Sequence, residues 1–136
     1  MSAENSKTHM LQIMEEAWNK KAPAAFDDRI AADFVCHTPD GDFKGLDGYK
    51  QLYNVYVTAF PDYHFTIDDV IAEGDKVSLR YTFAGTHTGP LLEVPATGKR
   101  VSVPGTVVTR VVDGKSVEEY VVWDSLGLVR QLGLVP

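Results

Sequence analysis

The chain has 136 residues, with 19 Asp and Glu against 13 Lys and Arg, a formal net charge of −6, and 44% hydrophobic residues. This length fits one folded domain, so we take residues 1–136 as a single domain with enough core to enclose a pocket. The acidic balance argues against a nucleic-acid partner, which needs a basic patch, and no apolar run approaches the roughly 20 residues that span a membrane.

The N-terminus and the cysteine content bear on localisation. Residues 1–6 contain neither the basic region nor the apolar region of a signal peptide. Cys36 is the single cysteine and cannot form an internal disulfide, which fits a reducing compartment. We therefore predict a cytoplasmic protein.

The first half of the chain is predicted to be mainly helical. Five apolar residues follow the helical spacing i, i+3, i+4, i+7 and i+8, namely Met10, Ile13, Met14, Ala17 and Trp18. Pro23 suits the first turn of a second, short helix. A short strand over 33–37 and a turn over 38–42 come next. A third helix is predicted over 46–60, with tyrosines on its apolar face.

The second half of the chain is predicted to be an antiparallel meander. Strands are expected over 63–71, 77–87, 99–112 and 115–123, and Asp113-Gly114 is a strong hairpin signal. The strand over 77–87 alternates apolar and polar residues, which indicates one buried face. Helices followed by such a meander predict an α+β fold with the helices on one face of the sheet. A strongly curved sheet would then form a cone with one deep apolar pocket.

Asp124 is the strongest catalytic candidate in the sequence, because it lies where a strand meets a helix. A two-residue hairpin turn would place Val122 opposite Gly105 and Asp124 opposite Val103, on the mostly apolar face of the hairpin. Burial there would raise the pKa of the carboxyl and make it a useful proton acceptor. The alternative is an N-cap of the last helix, and the two roles do not exclude each other. A bulge at Pro104-Gly105 would change this register.

Histidines give weaker candidates. His87 shares strand parity with apolar residues and is predicted to face inward, either in the site or as a core histidine. His37 ends the first strand and could line the pocket mouth, or face solvent. His9 and His64 are predicted to be exposed. No histidine pair has metal-ligand spacing, so we expect no metal.

Two further polar features are interpreted as structural. Glu118 shares a predicted face with Asp124 but lies six residues away, roughly 20 Å along a strand, too far for a working carboxylate pair. Glu118-Glu119 is therefore interpreted as a solvated strand end. Cys36 is interpreted as a small buried hydrophobic residue.

Aromatic side chains could form the wall of the pocket. The candidates for binding a flat polycyclic or long apolar ligand are Trp18, Tyr49, Tyr53, Tyr56, Phe60, Phe83 and Tyr120. Ordinary core packing is the alternative for most of them. Buried tyrosine hydroxyls need partners, however, and a helix that offers three of them is more polar than a plain core requires.

The sequence also predicts a partner surface and a mobile loop. Apolar residues on the outer face of the last hairpin indicate a homodimer or a higher homo-oligomer, and they are Val108, Val117, Val121 and Trp123. The loop over 88–98 leaves the strand at His87 and combines leucines with Gly and Pro. It is predicted either to gate the pocket or to be a plain surface connection.

Several motifs occur in the order found in one known family. They are Gly45-Leu46-Asp47-Gly48-Tyr49, Ala59-Phe60-Pro61-Asp62, residues 71–77 (IAEGDKV), Gly85-Thr86-His87-Thr88-Gly89, residues 94–98 (VPATG), Trp123-Asp124 and Leu132-Gly133. Over nearly its whole length the chain resembles the SnoaL-like polyketide cyclases of the cone-shaped, α+β NTF2-like superfamily. The resemblance implies an intramolecular aldol ring closure without metal or cofactor. It also implies that Asp124 corresponds to the catalytic aspartate, and that His87 occupies the family's Gly-Thr-His-Thr-Gly motif.

The expected function is therefore a cofactor-free enzyme that abstracts a proton from a hydrophobic carbonyl substrate, with Asp124 as base. One departure from the anthracycline-pathway cyclases is the strand over 106–110, which lacks their histidine. The alternatives are an isomerase or hydrolase on the same scaffold, and a small-molecule binding protein without turnover. A buried Asp124 near His87 or a tyrosine would favour the enzyme, whereas a solvated, capping Asp124 would favour the binding protein.

Overall fold

The computed structural model describes residues 2–136, and its helical elements frame one face of a sheet. The α-helices are α1 (Ala3–Gln12), α2 (Gly45–Ala59) and α3 (Ser125–Gln131). α1 continues directly into a π-helical segment, Ile13–Asn19, and a 3-10 turn follows at Pro23–Phe26. None of the helices within residues 2–136 combines the length and apolarity needed to cross a membrane.

Six strands form a single curved, open sheet. They are β1 (Ile30–Thr38), β2 (Gly41–Lys44), β3 (His64–Glu73), β4 (Lys76–Thr86), β5 (Arg100–Val112) and β6 (Lys115–Trp123). Their order in the sheet is β2-β1-β6-β5-β4-β3. β1 and β6 are parallel, and the other neighbours are antiparallel. The predicted α+β architecture is confirmed, and β2 adds a short hairpin to β1 where the sequence predicted only a turn.

The N-terminal helix buries the apolar face that its spacing predicts, because Met10, Ile13, Met14, Ala17 and Trp18 are all buried. From Ile13 onward, however, the backbone is π-helical, which widens the turn. The Tyr63 hydroxyl donates a hydrogen bond to the Trp18 carbonyl. The Asn19 side chain makes two hydrogen bonds with the backbone of Phe65. Its Nδ2 donates to the Phe65 carbonyl at 2.9 Å, and its Oδ1 accepts from the Phe65 N–H at 2.8 Å. These contacts fix Trp18 against the sheet.

The β5–β6 hairpin contains a one-residue bulge near its turn and not at Pro104-Gly105. Next to the turn, Val111 lies opposite Ser116. The next pair away from the turn is Arg110 with Glu118, so Val117 has no partner and is an extra, bulged residue. Gly105 consequently lies opposite Trp123 rather than Val122. Because side chains alternate along a strand, this shift places the residues of β6 beyond Val117 on the face opposite to the one predicted.

His9 lies inside the protein, so the prediction that it is exposed is wrong. Only 5% of its surface is accessible, and Nε2 lies 2.9 Å from the Ser116 hydroxyl. Burial, together with the charge of Arg29, lowers the pKa of His9 to about 4. His64 is exposed, as predicted. The Ser116 contact ties α1 to the start of β6.

Candidate functional site

A cavity of about 70 Å³ lies between the N-terminal helix, α2 and the concave face of the sheet. This space can hold several water molecules or part of a small ligand. Its wall is almost entirely apolar, with Met10 and Met14 on one side and valines of β5 and β6 on the other. Glu119 is the single carboxylate that lines it among residues 2–136.

Glu119 is held in this apolar surrounding by neutral hydrogen-bond donors. Glu119 is 3% exposed, and the Thr109 hydroxyl donates to its Oε2 at 2.9 Å. At Oε1 the Tyr49 hydroxyl lies at 3.5 Å and the Cys36 Sγ at 3.8 Å. The Trp18 indole N–H in turn donates to Tyr49 Oη at 3.0 Å. Each donor is on a different element, so the fold itself builds this network.

Burial raises the pKa of Glu119 to about 7, against the opposing effect of its hydrogen bonds. Within residues 2–136 no Lys, Arg or His forms an ion pair with this carboxyl, so no positive charge offsets its desolvation. A carboxyl group with a pKa near neutrality can both accept and return a proton at physiological pH. Such a perturbed group in an apolar cavity marks a candidate active site.

The interpretation of Glu118-Glu119 as a solvated strand end is therefore wrong for Glu119. The bulge at Val117 turns Glu119 inward and leaves Glu118 on the outer face of the sheet. Complementary cross-strand pairs are the signal in the sequence that could have revealed this register. The bulged register pairs Arg110 with Glu118 and Thr109 with Glu119, and such neighbours are favoured.

The prediction that Asp124 faces the interior is also wrong. Its side chain is exposed, and Oδ1 accepts a 2.8 Å hydrogen bond from the Gly127 N–H as the N-cap of α3. The cause is again the bulge. It turns Glu119 inward, so Tyr120, Val122 and Asp124, which alternate with Glu119, point outward. Asp124 therefore caps α3, as the alternative interpretation predicted, and Glu119 is the buried carboxyl that is a candidate base.

His87 is fully buried, in agreement with its predicted inward position. It does not line the cavity, however, and within residues 2–136 its Nε2 is buried without a hydrogen-bond partner. Nδ1 accepts from the Thr97 N–H at 3.2 Å and lies 3.0 Å from the Thr97 hydroxyl, and the ring packs on Phe60. Burial lowers the pKa of His87. His87 thus anchors the far end of the 88–98 loop, whose role as a gate stays a prediction.

Aromatic residues line the cavity as the sequence indicated, although not all of them do so. Trp18, Tyr49, Tyr56 and Phe83 contribute to the wall. Tyr53 is buried behind Trp18, with ring centroids 5.1 Å apart, and does not reach the cavity. A role for these side chains in substrate binding stays a prediction. Two aromatic residues that the site predictions did not include, Tyr81 and Trp123, also line the cavity.

His37 and Tyr120 lie together on the outside of the sheet, so neither lines the cavity. His37 contacts Asp42 through Nδ1 at 2.8 Å and Glu118 through Nε2 at 2.9 Å. Tyr120 is 54% exposed and stacks on the His37 ring, with centroids 4.5 Å apart. Hydrogen bonds to Glu118 and Asp42 raise the pKa of His37. The solvent-facing alternative for His37 is therefore the one observed, and the bulge explains the outward position of Tyr120.

Residues 2–136 contain no group of three or more His, Cys, Asp or Glu side chains arranged to hold a metal ion. The fold is mixed α+β, with helices on one face of a curved, open six-stranded sheet, and it encloses a buried acid in an apolar cavity. A family model described as SnoaL-like polyketide cyclase matches residues 8–132, and the chain belongs to this family.

Solved structures agree with this assignment. A protein from Jannaschia sp. CCS1, assigned as a SnoaL-like polyketide cyclase, superposes with a TM-score of 0.90 at 21% identity, over 98% of this chain and 95% of that one. AclR from Streptomyces galilaeus, assigned as a hydroxylase, has a TM-score of 0.88 at 32% identity over 99% and 89%. IdmH from Streptomyces antibioticus, assigned as a polyketide cyclase, has a TM-score of 0.82 at 26% identity over 94% and 98%. No curated protein shows significant sequence similarity to the chain.

Proposed function

We propose that this SnoaL-like protein is a cofactor-free enzyme that moves a proton on a hydrophobic carbonyl substrate, with Glu119 as the general base. The observation that carries the proposal is the buried Glu119 carboxyl, whose pKa is raised to about 7 in an apolar cavity. Ring closure by intramolecular aldol addition is the reaction that best fits the family and the assignment of IdmH as a polyketide cyclase.

The proposed chemistry needs only proton transfer within one substrate molecule. The Glu119 carboxylate removes a proton from the carbon next to a carbonyl, and the C–H electron pair forms an enolate. The enolate carbon then attacks a ketone of the same molecule, and the new alkoxide takes the proton back from Glu119. Thr109 and Tyr49 hold the carboxyl group in one orientation while this occurs.

Two alternatives share parts of this proposal. An isomerase would use the same proton transfer but return the proton to a different carbon. The assignment of AclR as a hydroxylase is a reminder that one scaffold can host several reactions. A binding protein without turnover is favoured by the apolar wall and by the solvated, capping position of Asp124.

Proton exchange from a simple ketone tests the base directly. In D2O, the wild-type protein should accelerate exchange of the acidic protons of 2-tetralone, measured by proton NMR. Glu119→Gln should lower the protein-dependent rate by roughly 10²–10⁴-fold, because a general base contributes about that much. Glu118→Gln is the matched control, since that neighbouring carboxylate lies on the outer face and should leave the rate unchanged.

Two results would contradict the proposal. Full exchange activity in Glu119→Gln would remove Glu119 from the mechanism. A wild-type protein that binds 2-tetralone without accelerating exchange would favour the binding protein instead.

A further inference from the structure

Tyr81 presents an unused hydrogen-bond donor to the cavity. It lies on β4, is 6% exposed, and its side chain lines the same cavity as Glu119. Within residues 2–136 its hydroxyl group forms no hydrogen bond. Within residues 2–136 the fully enclosed side-chain atoms without a partner are His87 Nε2 and Ser125 Oγ, so the Tyr81 oxygen is not sealed off by protein and a ligand oxygen in the cavity can reach it.

The sequence makes room for this hydroxyl. Tyr81 lies opposite Gly105 in the β4–β5 ladder, and a Cβ atom at position 105 would overlap both Cζ and Oη of Tyr81. The phenol therefore lies across β5, over the one position of that strand without a side chain. Phe65 supports the ring from the side, with centroids 5.1 Å apart at 67°. Gly105 thus sets the orientation of Tyr81.

The surroundings keep this hydroxyl group protonated. Burial first, and then the negative charge of Glu119, raise the pKa of Tyr81. Tyr81 is therefore a donor across the neutral pH range, and it keeps its own proton when an oxygen nearby becomes negative. Tyr81 and Glu119 do not hydrogen bond to each other, so a ligand in the cavity can contact both.

We propose that the Tyr81 hydroxyl binds the carbonyl oxygen of the substrate and stabilises it as it becomes an enolate oxygen. When Glu119 takes the proton from the adjacent carbon, the C–H pair forms a C=C bond and the carbonyl π pair moves to oxygen, where Tyr81 donates its hydrogen bond. The enolate role rests on the proposed function, whereas recognition of a ketone oxygen does not. The substrate class is accordingly a largely apolar ketone with an acidic neighbouring C–H.

A pair of isosteric probes isolates this hydrogen bond. Acetophenone and α-methylstyrene differ in a C=O against a C=CH2 group, and both affinities can be measured by NMR titration. Titration at about pH 8.5 keeps Glu119 ionised, so that its carboxylate cannot donate to the ketone. Tyr81→Phe should weaken acetophenone binding about fivefold to tenfold and change α-methylstyrene binding less than twofold. No partner in the protein loses a hydrogen bond in this variant.

Two further variants complete the test. Tyr56→Phe is the matched control, because the Tyr56 hydroxyl already has an acceptor in Asp40 at 3.4 Å and should not affect the preference for the ketone. Gly105→Ala keeps the Tyr81 hydroxyl but displaces its ring, so it should lower the preference for acetophenone over α-methylstyrene as Tyr81→Phe does. The double variant should lose no more of this preference than either single variant.

The inference is overturned if the ratio of the two affinities is the same in wild type and Tyr81→Phe, if Tyr56→Phe changes it equally, or if wild type binds neither probe. These readouts involve no turnover. Failure here is therefore distinct from failure of the Glu119 assignment, which the exchange rate decides.

Discussion

Thr109 and Glu119 lie opposite each other in the β5–β6 ladder, and the Thr109 hydroxyl donates a 2.9 Å hydrogen bond to Glu119 Oε2. Thr109 is completely buried, so this bond is made out of reach of solvent. It favours the ionised form of the carboxyl and opposes the larger effect of desolvation, which raises its pKa. The proton affinity of Glu119 is thus set by a balance that a single side chain can change.

The pH dependence of activity should report this balance. The wild-type rate of ketone proton exchange should rise with pH and level off above a pKa of about 7, because only the ionised Glu119 accepts a proton. Thr109→Val removes a donor that lowers the pKa, so the rise should move to higher pH. Thr106→Val, at an exposed position of the same strand, is the control. A profile that does not move in Thr109→Val would contradict the assignment of the titrating group.

Glu119 should also make the protein less stable at higher pH. Its pKa is raised from 4.5 to about 7 on folding, so the folded state binds the extra proton between these values. Stability from this group is complete below pH 4.5 and is lost as pH rises through 7, by roughly 3 kcal/mol. Glu119→Gln has no ionisable group at this position, so it should not lose this stability as pH rises. Urea unfolding should show the stability of the variant gaining on wild type as pH rises, and a constant difference would refute the buried, raised acid.

His9 should make the protein less stable at lower pH, the opposite of the effect of Glu119. Its pKa falls from 6.5 to about 4 on folding, so between these values the unfolded state binds more protons. Stability is therefore lost as pH falls from 6.5 to 4, by roughly 3 kcal/mol. His9→Gln should flatten this acid-side dependence in urea unfolding, whereas the exposed His64→Gln should leave it as in wild type. In the wild-type protein the two opposing groups nearly cancel between pH 4.5 and 6.5.

Asp124 should matter for stability and not for turnover. Asp124→Asn should leave both the exchange rate and the thermal midpoint near wild type, because asparagine is an equally good N-cap. Asp124→Ala should cost about 1 kcal/mol in chemical unfolding through loss of the bond to Gly127. A large loss of activity in Asp124→Asn with an intact fold would restore Asp124 as a catalytic candidate.

We further predict that the outer face of the sheet forms a homodimer. The predicted apolar set was partly wrong, because Val121 and Trp123 line the cavity instead. The exposed apolar and aromatic residues on this face include Val108 at 40%, Tyr120 at 54% and Val122 at 63%. Val122→Lys should convert a dimer to a monomer in sedimentation velocity at micromolar concentration. Ile71→Lys changes an equally exposed residue on β3, at the far edge of the sheet, and should leave the dimer intact.

The strands could be predicted from the sequence because alternating apolar and polar residues within one segment already determine which of its faces is buried. In β4, the alternation of Val77, Leu79, Tyr81 and Phe83 with polar residues requires one buried face, and all four are buried. The faces of β6 were not predictable in this way. Both of its faces are mixed, so the alternation alone does not choose between them, and the register depends on where the extra residue is placed. The site residues on β6 were therefore assigned to the wrong face, while Trp18, Tyr49, Tyr56 and Phe83 were placed correctly in the cavity wall.

The bulge at Val117 also has an evolutionary consequence. If Val117 paired with Arg110 instead of bulging, the residues of β6 beyond it would exchange between cavity and surface. Glu119 would leave the interior, and Tyr120, Val122 and Asp124 would enter it. Loss of the bulge without loss of a residue could therefore replace the whole set of reacting groups at once, without altering the helices that enclose them, whereas deletion of Val117 itself would keep Glu119 opposite Thr109. Relatives that share the scaffold but differ in this bulge need not share a chemistry.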